Sequence, residues 1–277
     1  MDLQHVSGEN ITGLCDVAVY ERRYLEMFPN ILSKCRRILY VGEDLPTDII
    51  ESSYSFFVKT DYIDYFENNV MPLIKSNFIL ITHNSDYLSG LNKNIINNPH
   101  IVKWYGQNMI PNDKTSGIPI GLENSAYQGW DYNYLISQKS NNKEYMLYVN
   151  FSINTNEKRK GILECLKRKG YDECQKKPWK EYIKELSKYK FAVSPEGNGV
   201  DCHRIWECIY LGCIPIVEDN EIIKTHFGEL PILFVSSFDV INDEYLNREY
   251  DKFKTKSFNV EKTTLKYWRD VITHQEF

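Results

Sequence analysis

The 277-residue sequence lacks the long apolar run that would cross a membrane. No segment approaches about 18 consecutive apolar residues, the length that a spanning helix needs. The first residues, MDLQHVSGENITGL, carry neither the basic start nor the apolar stretch of a signal peptide. We therefore expect a cytoplasmic protein without an integral membrane segment. A peripheral association with a membrane surface or with a partner enzyme stays open.

Patterned cysteines and excess positive charge are also missing. The seven cysteines form no C-x-x-C motif, and their odd number argues against a disulfide framework. Cys202, His203 and Cys208 follow no zinc-ligand spacing, so we expect no bound metal. The net charge of -5 disfavours a nucleic-acid partner, because such partners usually require a basic surface.

The common nucleotide-binding fingerprints are absent as well. Residues 197–202 read G-N-G-V-D-C, which is not the dinucleotide motif G-x-G-x-x-G, and no Walker A motif occurs. A dehydrogenase or an NTPase is therefore disfavoured. Tyr250 and Lys254 form a Tyr-x-x-x-Lys pattern that would suit a sugar-nucleotide epimerase or dehydrogenase. They lie in the polar segment REYDKFKTK, where a chance match is the better interpretation.

Two rounds of alternating strand-like and helix-like segments make up most of the sequence. Short runs rich in Ile, Val, Tyr and Phe are typical of parallel strands covered on both faces. These runs are 37–43, 54–60, 78–84, 101–108, 118–124, 146–152, 190–194, 213–217 and 232–236. Helical patterns occur at 61–76, 156–170, 178–190 and 260–274. The alternation predicts two α/β domains, with the polar segment 128–145 as the linker and a boundary near residue 140.

Polar side chains follow several of these strands where each strand ends. Examples are His83 and Asp86 after the third run, Glu123 at the end of the fifth, and Asn150 in the sixth. In an open α/β sheet, ligands bind beyond the carboxyl ends of the strands. The sequence therefore predicts a ligand cleft between the two domains.

The most informative segment is SPEGNGVDCHRIWECIYLGCIPIV, residues 194–217. The two glycines of its loop, Gly197 and Gly199, allow positive φ or close approach to a ligand, and Asp201 is a suitable N-cap for a helix over 202–211. Gly212 is a suitable stop for that helix. A glycine loop followed by a helix N-terminus favours an anion.

Two side chains of this helix suggest which anion binds. The fork of Arg204 suits a diphosphate, and Glu207, on the same helix face, can accept two hydrogen bonds from a ribose diol. Two alternatives stay open. Arg204 and Glu207 could form only a surface ion pair, and His203 could be either a ligand contact or a solvated first-turn residue.

The segment KFAVSPEGNGVDCHRIWECIYLGCIPIV resembles the donor-binding motif of exostosin-like glycosyltransferases, a group that includes heparan-sulfate polymerases and a ribitol xylosyltransferase. It is more distantly similar to the donor loop of α-1,3-fucosyltransferases. The family pattern is kept at Pro195, Gly197, Arg204, Glu207, Gly212 and Pro215. The upstream pieces ITHNSD, KWYGQN, IPIGLEN and NFSINTNEKR resemble bacterial and viral-type members. The resemblance thus spans roughly residues 78–218.

This resemblance implies an α/β protein of the GT-B fold, with two facing Rossmann-like domains. The acceptor domain would be 1–140, the donor domain 141–258, and a C-terminal helix in 259–277 would cross back to the first domain. It further implies inverting, metal-independent transfer from a nucleotide-sugar, with UDP favoured, to a glycan or polysaccharide hydroxyl. No Asp-x-Asp metal motif occurs, in agreement with this, and no cofactor is expected. A catalytically inactive nucleotide-binding module that partners an active transferase is the alternative.

The resemblance and the residue patterns together give a set of expected site residues. The donor site comprises Ser194, Glu196, Gly197, Asn198, Gly199, His203, Arg204, Glu207, Asn150 and Arg159. Inverting transfer also needs a base for the acceptor hydroxyl. Asp86 is the first choice, followed by His83 and Glu123. Asp86 could instead cap a short helix after it, and Glu196 better suits contact with the donor sugar.

Overall fold

The computed structural model describes residues 5–125 and 130–273. The chain divides into two compact units. Unit 1 is Met1–Tyr127 with Glu261–Phe277, and unit 2 is Gln128–Val260. Across the described residues, no helix combines the length and the apolar character that a membrane crossing requires.

Unit 1 is built around a six-stranded parallel sheet. Its strands are β1 (Val17–Tyr20), β2 (Ile38–Tyr40), β3 (Ser55–Lys59), β4 (Phe78–His83), β5 (Ile101–Gly106) and β6 (Thr115–Gly117). They lie in the order β2-β1-β3-β4-β5-β6, and all neighbours are parallel. Strands β1, β3 and β4 are buried along their whole length because hydrophobic clusters cover both faces of the sheet.

The helices of unit 1 before residue 125 are short. They are α1 (Gly8–Thr12), α2 (Arg22–Met27), α3 (Pro29–Leu32), α4 (Thr47–Glu51), α5 (Ile63–Tyr65) and α6 (Lys93–Asn97). The single helix predicted over 61–76 is wrong in detail, because 3₁₀ turns flank α5 and a π turn, Phe66–Val70. Pro72 lacks the N–H that a continuous α-helix would need there.

The sheet corrects two sequence predictions. The run VAVY, which was not predicted as a strand, forms β1, which lies between β2 and β3. The strand predicted at 118–124 is wrong, because the last strand, β6, ends at Gly117. Pro119 has no N–H for a ladder, and Gly121 adopts a φ of 67°. A Cβ on Gly121 would lie 2.2 Å from the Val6 carbonyl oxygen, so the chain turns closely past the N-terminal segment.

Unit 2 carries a four-stranded parallel sheet. Its strands are β7 (Tyr145–Tyr148), β8 (Tyr189–Val193), β9 (Ile214–Glu218) and β10 (Leu233–Val235), in the order β10-β9-β8-β7. Its helices are α7 (Tyr132–Ser137), α8 (Lys158–Arg168), α9 (Trp179–Leu186), α10 (His203–Leu211), α11 (Glu221–Phe227) and α12 (Asp243–Thr255). The predictions of all four strands and of α8, α9 and α10 are confirmed, whereas α11 and α12 were not predicted.

The segment 128–145, predicted as a linker, contains secondary structure. Residues 128 and 129 lie outside the described part of the chain, but α7 follows them and packs against α9 and α10. Asp131 caps α7 by accepting a hydrogen bond from the Tyr134 N–H at 3.1 Å. The predicted domain limits at residues 140 and 258 stay predictions.

The C-terminal segment from Glu261 onward belongs to unit 1. A 3₁₀ turn, Glu261–Thr263, precedes α13 (Leu265–Thr273), so the predicted C-terminal helix is confirmed, except that residue 274 lies outside the described range. Leu265, Trp268 and Ile272 are buried in one hydrophobic cluster of unit 1. Two Rossmann-like α/β units with this return of the chain agree with the expected GT-B class.

Candidate functional site

The loop between β8 and α10 begins where the sequence predicts it. Ser194 continues the sheet, because its N–H donates to the Ile216 carbonyl at 2.9 Å. Helix α10 ends at Gly212, whose φ of 69° confirms the predicted stop. The predicted N-cap is wrong: Cys202 occupies that position without a side-chain hydrogen bond. The Asp201 carboxylate instead accepts from the Trp206 indole N–H at 2.8 Å.

Arg159, in the first turn of α8, is hydrogen-bonded to the backbone of this loop. It is buried, and its guanidinium donates to the carbonyls of Glu196 at 2.7 Å, Pro195 at 2.8 Å and Ser152 at 2.9 Å. Pro195 and Glu196 belong to the loop after β8, whereas Ser152 lies in the segment before α8, so the guanidinium joins these two segments. The structure therefore gives Arg159 a supporting position under the expected donor site.

Gly197 lies close to this arginine. Its φ is not positive, and a Cβ at this position would lie 3.1 Å from Nη2 of Arg159. The Gly197 carbonyl also accepts from the Asn156 side-chain amide at 3.1 Å. Of the two predicted roles, positive φ and close approach to a ligand, the first does not apply to Gly197, and its open side is occupied by a protein side chain.

Arg204 lies in the first turn of α10 among aromatic rings. Its Nε donates to the Tyr182 hydroxyl at 3.2 Å, and its guanidinium carbon lies 5.3 Å and 5.8 Å from the ring centroids of Tyr182 and Tyr148. Nη1 is buried and has no hydrogen-bond partner among residues 5–125 and 130–273. A buried guanidinium nitrogen without a partner is costly, and an anion is the kind of ligand that would satisfy it.

Glu207 is buried beside Arg204, and helix α9 supplies its hydrogen bonds. Oε2 accepts from the Tyr182 hydroxyl at 2.6 Å, and Oε1 accepts from the Trp179 indole N–H at 3.1 Å. Burial raises the pKa of Tyr182 well above its usual value, so its hydroxyl keeps the proton that it donates. Tyr182 thus joins the Arg204 cation to the Glu207 carboxylate.

The remaining predicted donor residues occupy varied environments. Oε1 of Glu196 accepts from the Asn220 amide at 2.7 Å. The hydroxyl of Ser194 is buried and donates to the Ala192 carbonyl at 3.4 Å, whereas Asn198 is exposed. His203 is the half-buried first residue of α10, and Gly199 accepts from the Gly197 N–H at 3.0 Å.

The Asn150 side-chain amide is hydrogen-bonded to the segment before α9. Both of its hydrogen bonds as a donor go to backbone carbonyls, those of Cys174 and Gln175, each at 3.0 Å. The structure thus gathers Arg159, Glu196 and Gly197 in the loop and its support, while Asn150 is bonded to the segment before α9.

Sequence reasoning missed the residues that orient Arg204. Trp179 and Tyr182 are three positions apart on α9, where the sequence predicts only a helical pattern over 178–190. A Trp and a Tyr each carry one polar atom that needs a partner when buried, and that property is the signal that could have identified them.

One family model matches this chain: the RXYLT1 C-terminal domain matches residues 122–269, more than half of the sequence. The chain belongs to this family. RXYLT1 denotes ribitol xylosyltransferase 1, so the expected relationship to exostosin-like glycosyltransferases is confirmed. A search of curated proteins finds no match.

The RXYLT1-type match gives this protein a glycosyltransferase-related function, which implies a sugar donor and an acceptor. It covers the loop after β8, Arg204, Tyr182 and Glu207, together with Glu123. His83 and Asp86 lie before the matched range.

A network of buried polar side chains fills the carboxyl edge of the unit 1 sheet. Nε2 of His83, at the end of β4, lies 2.9 Å from the Pro119 carbonyl and therefore carries a proton. Asn84, with a φ of 59°, donates to the Tyr20 hydroxyl at 2.9 Å and accepts from Asn124 at 3.4 Å. This network makes His83 part of the buried framework.

Asp86 differs because its side chain is exposed. No helix follows it, so its alternative role as a helix N-cap is wrong. The backbone carbonyl of Asp86 accepts from the Asn108 amide at 3.2 Å, which fixes the loop to the end of β5. Oε1 of the neighbouring Gln107 is buried and has no partner in the described part of the chain. Glu123 is half-buried, and its Oε1 accepts from the Asn124 N–H at 3.0 Å.

A cavity of about 240 Å³ lies beside the loop that carries Asp86. Apolar groups of Ile63, Leu88, Leu91 and Trp104 and polar groups of Thr60, Asp64, Ser89 and Asn92 line it. Leu88 and Leu91 are exposed, as is Tyr87 in the same loop. Apolar walls with a few polar groups are typical of small-molecule sites in general.

Charged and aromatic groups meet where the strand order of unit 1 reverses, between β1 and β3. Such switch points are the usual ligand sites of open α/β sheets. Lys59 is buried at the end of β3 and forms an ion pair with Asp61. Its ammonium lies 5.2 Å and 5.5 Å from the ring centroids of Tyr24 and Tyr62.

Within the described ranges, no group of three or more His, Cys, Asp or Glu side chains is arranged to hold a metal ion. The positive charge nearest the expected donor site comes from Arg204 and, beneath the loop, Arg159. Metal independence stays a prediction.

Proposed function

We propose that this protein transfers a sugar from a nucleotide-diphosphate sugar to a hydroxyl of a glycan or polysaccharide, with inversion and without a metal ion. UDP is the favoured nucleotide. The donor binds at the loop after β8 and the start of α10, and the acceptor binds at the carboxyl edge of the unit 1 sheet.

Arg204 is the observation that carries the proposal. Arg204 lies in the first turn of the nine-residue helix α10, directly after the loop. Its Nη1 is buried and has no partner among the described residues. The positive end of the helix dipole favours an anion at the same place. A diphosphate satisfies Nη1, so the site stabilises the charge that develops as the sugar leaves.

The transfer is a single displacement. The acceptor oxygen attacks the anomeric carbon while the bond from that carbon to the diphosphate oxygen breaks. The electron pair of the broken bond stays on the nucleoside diphosphate, and the hydroxyl proton passes to a protein base. Attack from the face opposite the leaving group inverts the anomeric centre.

Asp86 is the base that we propose. An acceptor hydroxyl must reach the base, and Asp86 is exposed whereas His83 is 1% exposed and holds its Nε2 proton on Pro119. Glu123 is half-buried and already accepts a backbone hydrogen bond, so it is the second candidate. The cavity beside Leu88 and Leu91 gives the acceptor sugar a place next to the Asp86 loop.

A thermal-shift panel with UDP, GDP and CMP, each with and without an attached sugar and including UDP-xylose, tests the donor site. We expect UDP and its sugars at about 100 times their Kd to raise the unfolding temperature by several degrees. Arg204→Gln should weaken UDP binding about 10- to 100-fold. Arg248→Gln, an exposed arginine on α12, is the matched control and should bind normally. A wild-type protein that responds to no nucleotide would refute the donor site.

Turnover separates the enzyme from the alternative, an inactive nucleotide-binding module that partners an active transferase. Release of nucleoside diphosphate from the donor that the panel selects, with or without acceptor glycans, is expected of an enzyme. Asp86→Asn should abolish turnover while UDP binding persists, and a near-normal rate would remove Asp86 from the role. A rate unchanged by EDTA is expected, and a strict Mg²⁺ requirement would contradict the metal-independent mechanism.

A further inference from the structure

We propose that Tyr182 and Glu207 are positioning residues for Arg204, and that Glu207 acts through Tyr182 on the diphosphate rather than on the ribose. This inference rests on the proposed donor site. It assigns a role to Tyr182, which neither the loop motif nor the helix periodicity indicates, and it changes the role expected of Glu207.

The hydrogen bonds run in one direction from the cation to the carboxylate. Nε of Arg204 donates to the Tyr182 hydroxyl at 3.2 Å, and this hydroxyl donates its own proton to Oε2 of Glu207 at 2.6 Å. A tyrosine hydroxyl can do both at once, because it has one proton and two lone pairs. The guanidinium is therefore fixed through its Nε side.

Fixing Nε leaves the other end of the fork for a ligand. Nη1 is buried without a partner among the described residues, and the rings of Tyr148 and Tyr182 lie against the guanidinium. Arginine recognises phosphate through a planar pair of N–H groups, so the angle of this plane decides whether both bonds form. Tyr182 sets that angle.

Glu207 is poorly available to a ribose. It is 7% exposed, and each carboxylate oxygen already accepts a hydrogen bond, one from Tyr182 and one from Trp179. Trp179 is itself packed against Trp130 at 5.7 Å and Tyr134 at 6.1 Å between ring centroids. A ribose diol would have to displace these ring donors. The carboxylate instead serves as the buried counter-charge that keeps Tyr182 and Arg204 in place.

Calorimetry can measure the binding of UDP and of uridine to the 277-residue chain. Comparison of the two ligands distinguishes a role of Glu207 toward the diphosphate from a role toward the ribose. We expect Tyr182→Phe and Glu207→Gln each to weaken UDP binding by about 10-fold, while uridine binding changes less than about twofold. If the panel selects GDP, then GDP and guanosine replace the pair. A ribose ligand at Glu207 would instead make Glu207→Gln weaken both ligands equally, which would overturn the inference.

A double-mutant cycle tests the coupling directly. In an Arg204→Gln background, Tyr182→Phe should have no further effect on UDP binding, because its action passes through the guanidinium. Additive losses would overturn the inference. Tyr182→Phe keeps the ring, and a normal thermal unfolding midpoint excludes misfolding as the cause.

Tyr171→Phe is the matched control. It also removes a tyrosine hydroxyl that donates to a carboxylate in unit 2, that of Asp243 at 2.7 Å, but it lies outside the site. It should bind UDP like the wild type. A wild type that binds no nucleotide refutes the proposed function itself, whereas normal wild-type binding with unchanged Tyr182→Phe binding refutes only the positioning role.

Discussion

At the scale of single residues, the expected donor site contains buried polar side chains that form hydrogen bonds with specific partners. Arg159 donates to two carbonyls of the loop after β8 and to the Ser152 carbonyl before α8, and Glu207 accepts from Tyr182 and Trp179. A buried polar atom without a partner loses its hydration without replacement. Nη1 of Arg204 is one of the buried side-chain atoms without a partner among the described residues, and its positive charge makes it the one that an anion would satisfy.

His5 gives a prediction about pH. Burial, and next the positive charge of Lys34, lower the pKa of His5 from 6.5 to about 4. Between these values the unfolded chain binds a proton that the folded chain does not, so the free energy of unfolding falls as the pH falls. We expect this single group to remove about 2 kcal/mol between pH 7.5 and pH 5.

Urea unfolding of the wild type and of His5→Gln at both pH values measures this effect. Glutamine does not titrate, so the variant should lose about 2 kcal/mol less than the wild type on acidification. His100→Gln is the control, since that side chain lies elsewhere in unit 1. An equal pH dependence of wild type and His5→Gln would contradict the prediction.

At the scale of elements, the periodic segments of the sequence were predictable and the irregular ones were not. The runs that became β3, β4 and β5 are continuous apolar stretches, as buried parallel strands require. VAVY has only four residues between charged neighbours, too short for its pattern to stand out. The run 118–124 is apolar because it is buried, but its proline and its glycine with positive φ prevent pairing.

A residue of the candidate site was predictable only where its side-chain chemistry and its position in a local sequence pattern indicate the same role. Arg204 follows from its place at a helix start after a glycine loop. The partners of Glu207 come from α9, and no local pattern indicates which helix packs against α10. The same limit explains Arg159, whose three acceptors are far from it in sequence or lie in an irregular turn.

Two glycines in helical contexts give opposite predictions. Gly161 lies inside α8, where an added Cβ meets nothing within 4 Å, so Gly161→Ala should stabilise the protein by about 0.5–1 kcal/mol. Gly212 ends α10 with a φ of 69°, so Gly212→Ala should destabilise it by about 1–2 kcal/mol although the space is open.

The midpoints and slopes of urea unfolding curves test the pair, and each variant serves as the control for the other. Both add the same methyl group to unit 2, so a difference in sign isolates the backbone conformation from packing. Two shifts of the same sign would show that the conformation at Gly212 does not determine its stability contribution.

At the scale of the whole molecule, unit 1 is assembled from both ends of the sequence. His5 forms a bridge with Thr264, and α13 contacts α1. Leu265, Trp268 and Ile272 complete a hydrophobic cluster that otherwise consists of residues from the first 118 positions. The last helix is therefore part of the core of unit 1.

Trp268→Ala tests this dependence. Trp268 is 1% exposed, lies 6.2 Å from Tyr105 between ring centroids, and donates to the Lys262 carbonyl at 2.9 Å. Removing the ring leaves a large cavity, so we expect a loss of about 3–5 kcal/mol. Hydrogen exchange should show reduced protection of the β5 amides beside Tyr105, more than 150 residues earlier in the chain. Lys266→Ala, at a side chain that is 68% exposed on the same helix, should change stability by less than about 0.5 kcal/mol. If β5 keeps its full protection in Trp268→Ala, then α13 does not stabilise unit 1.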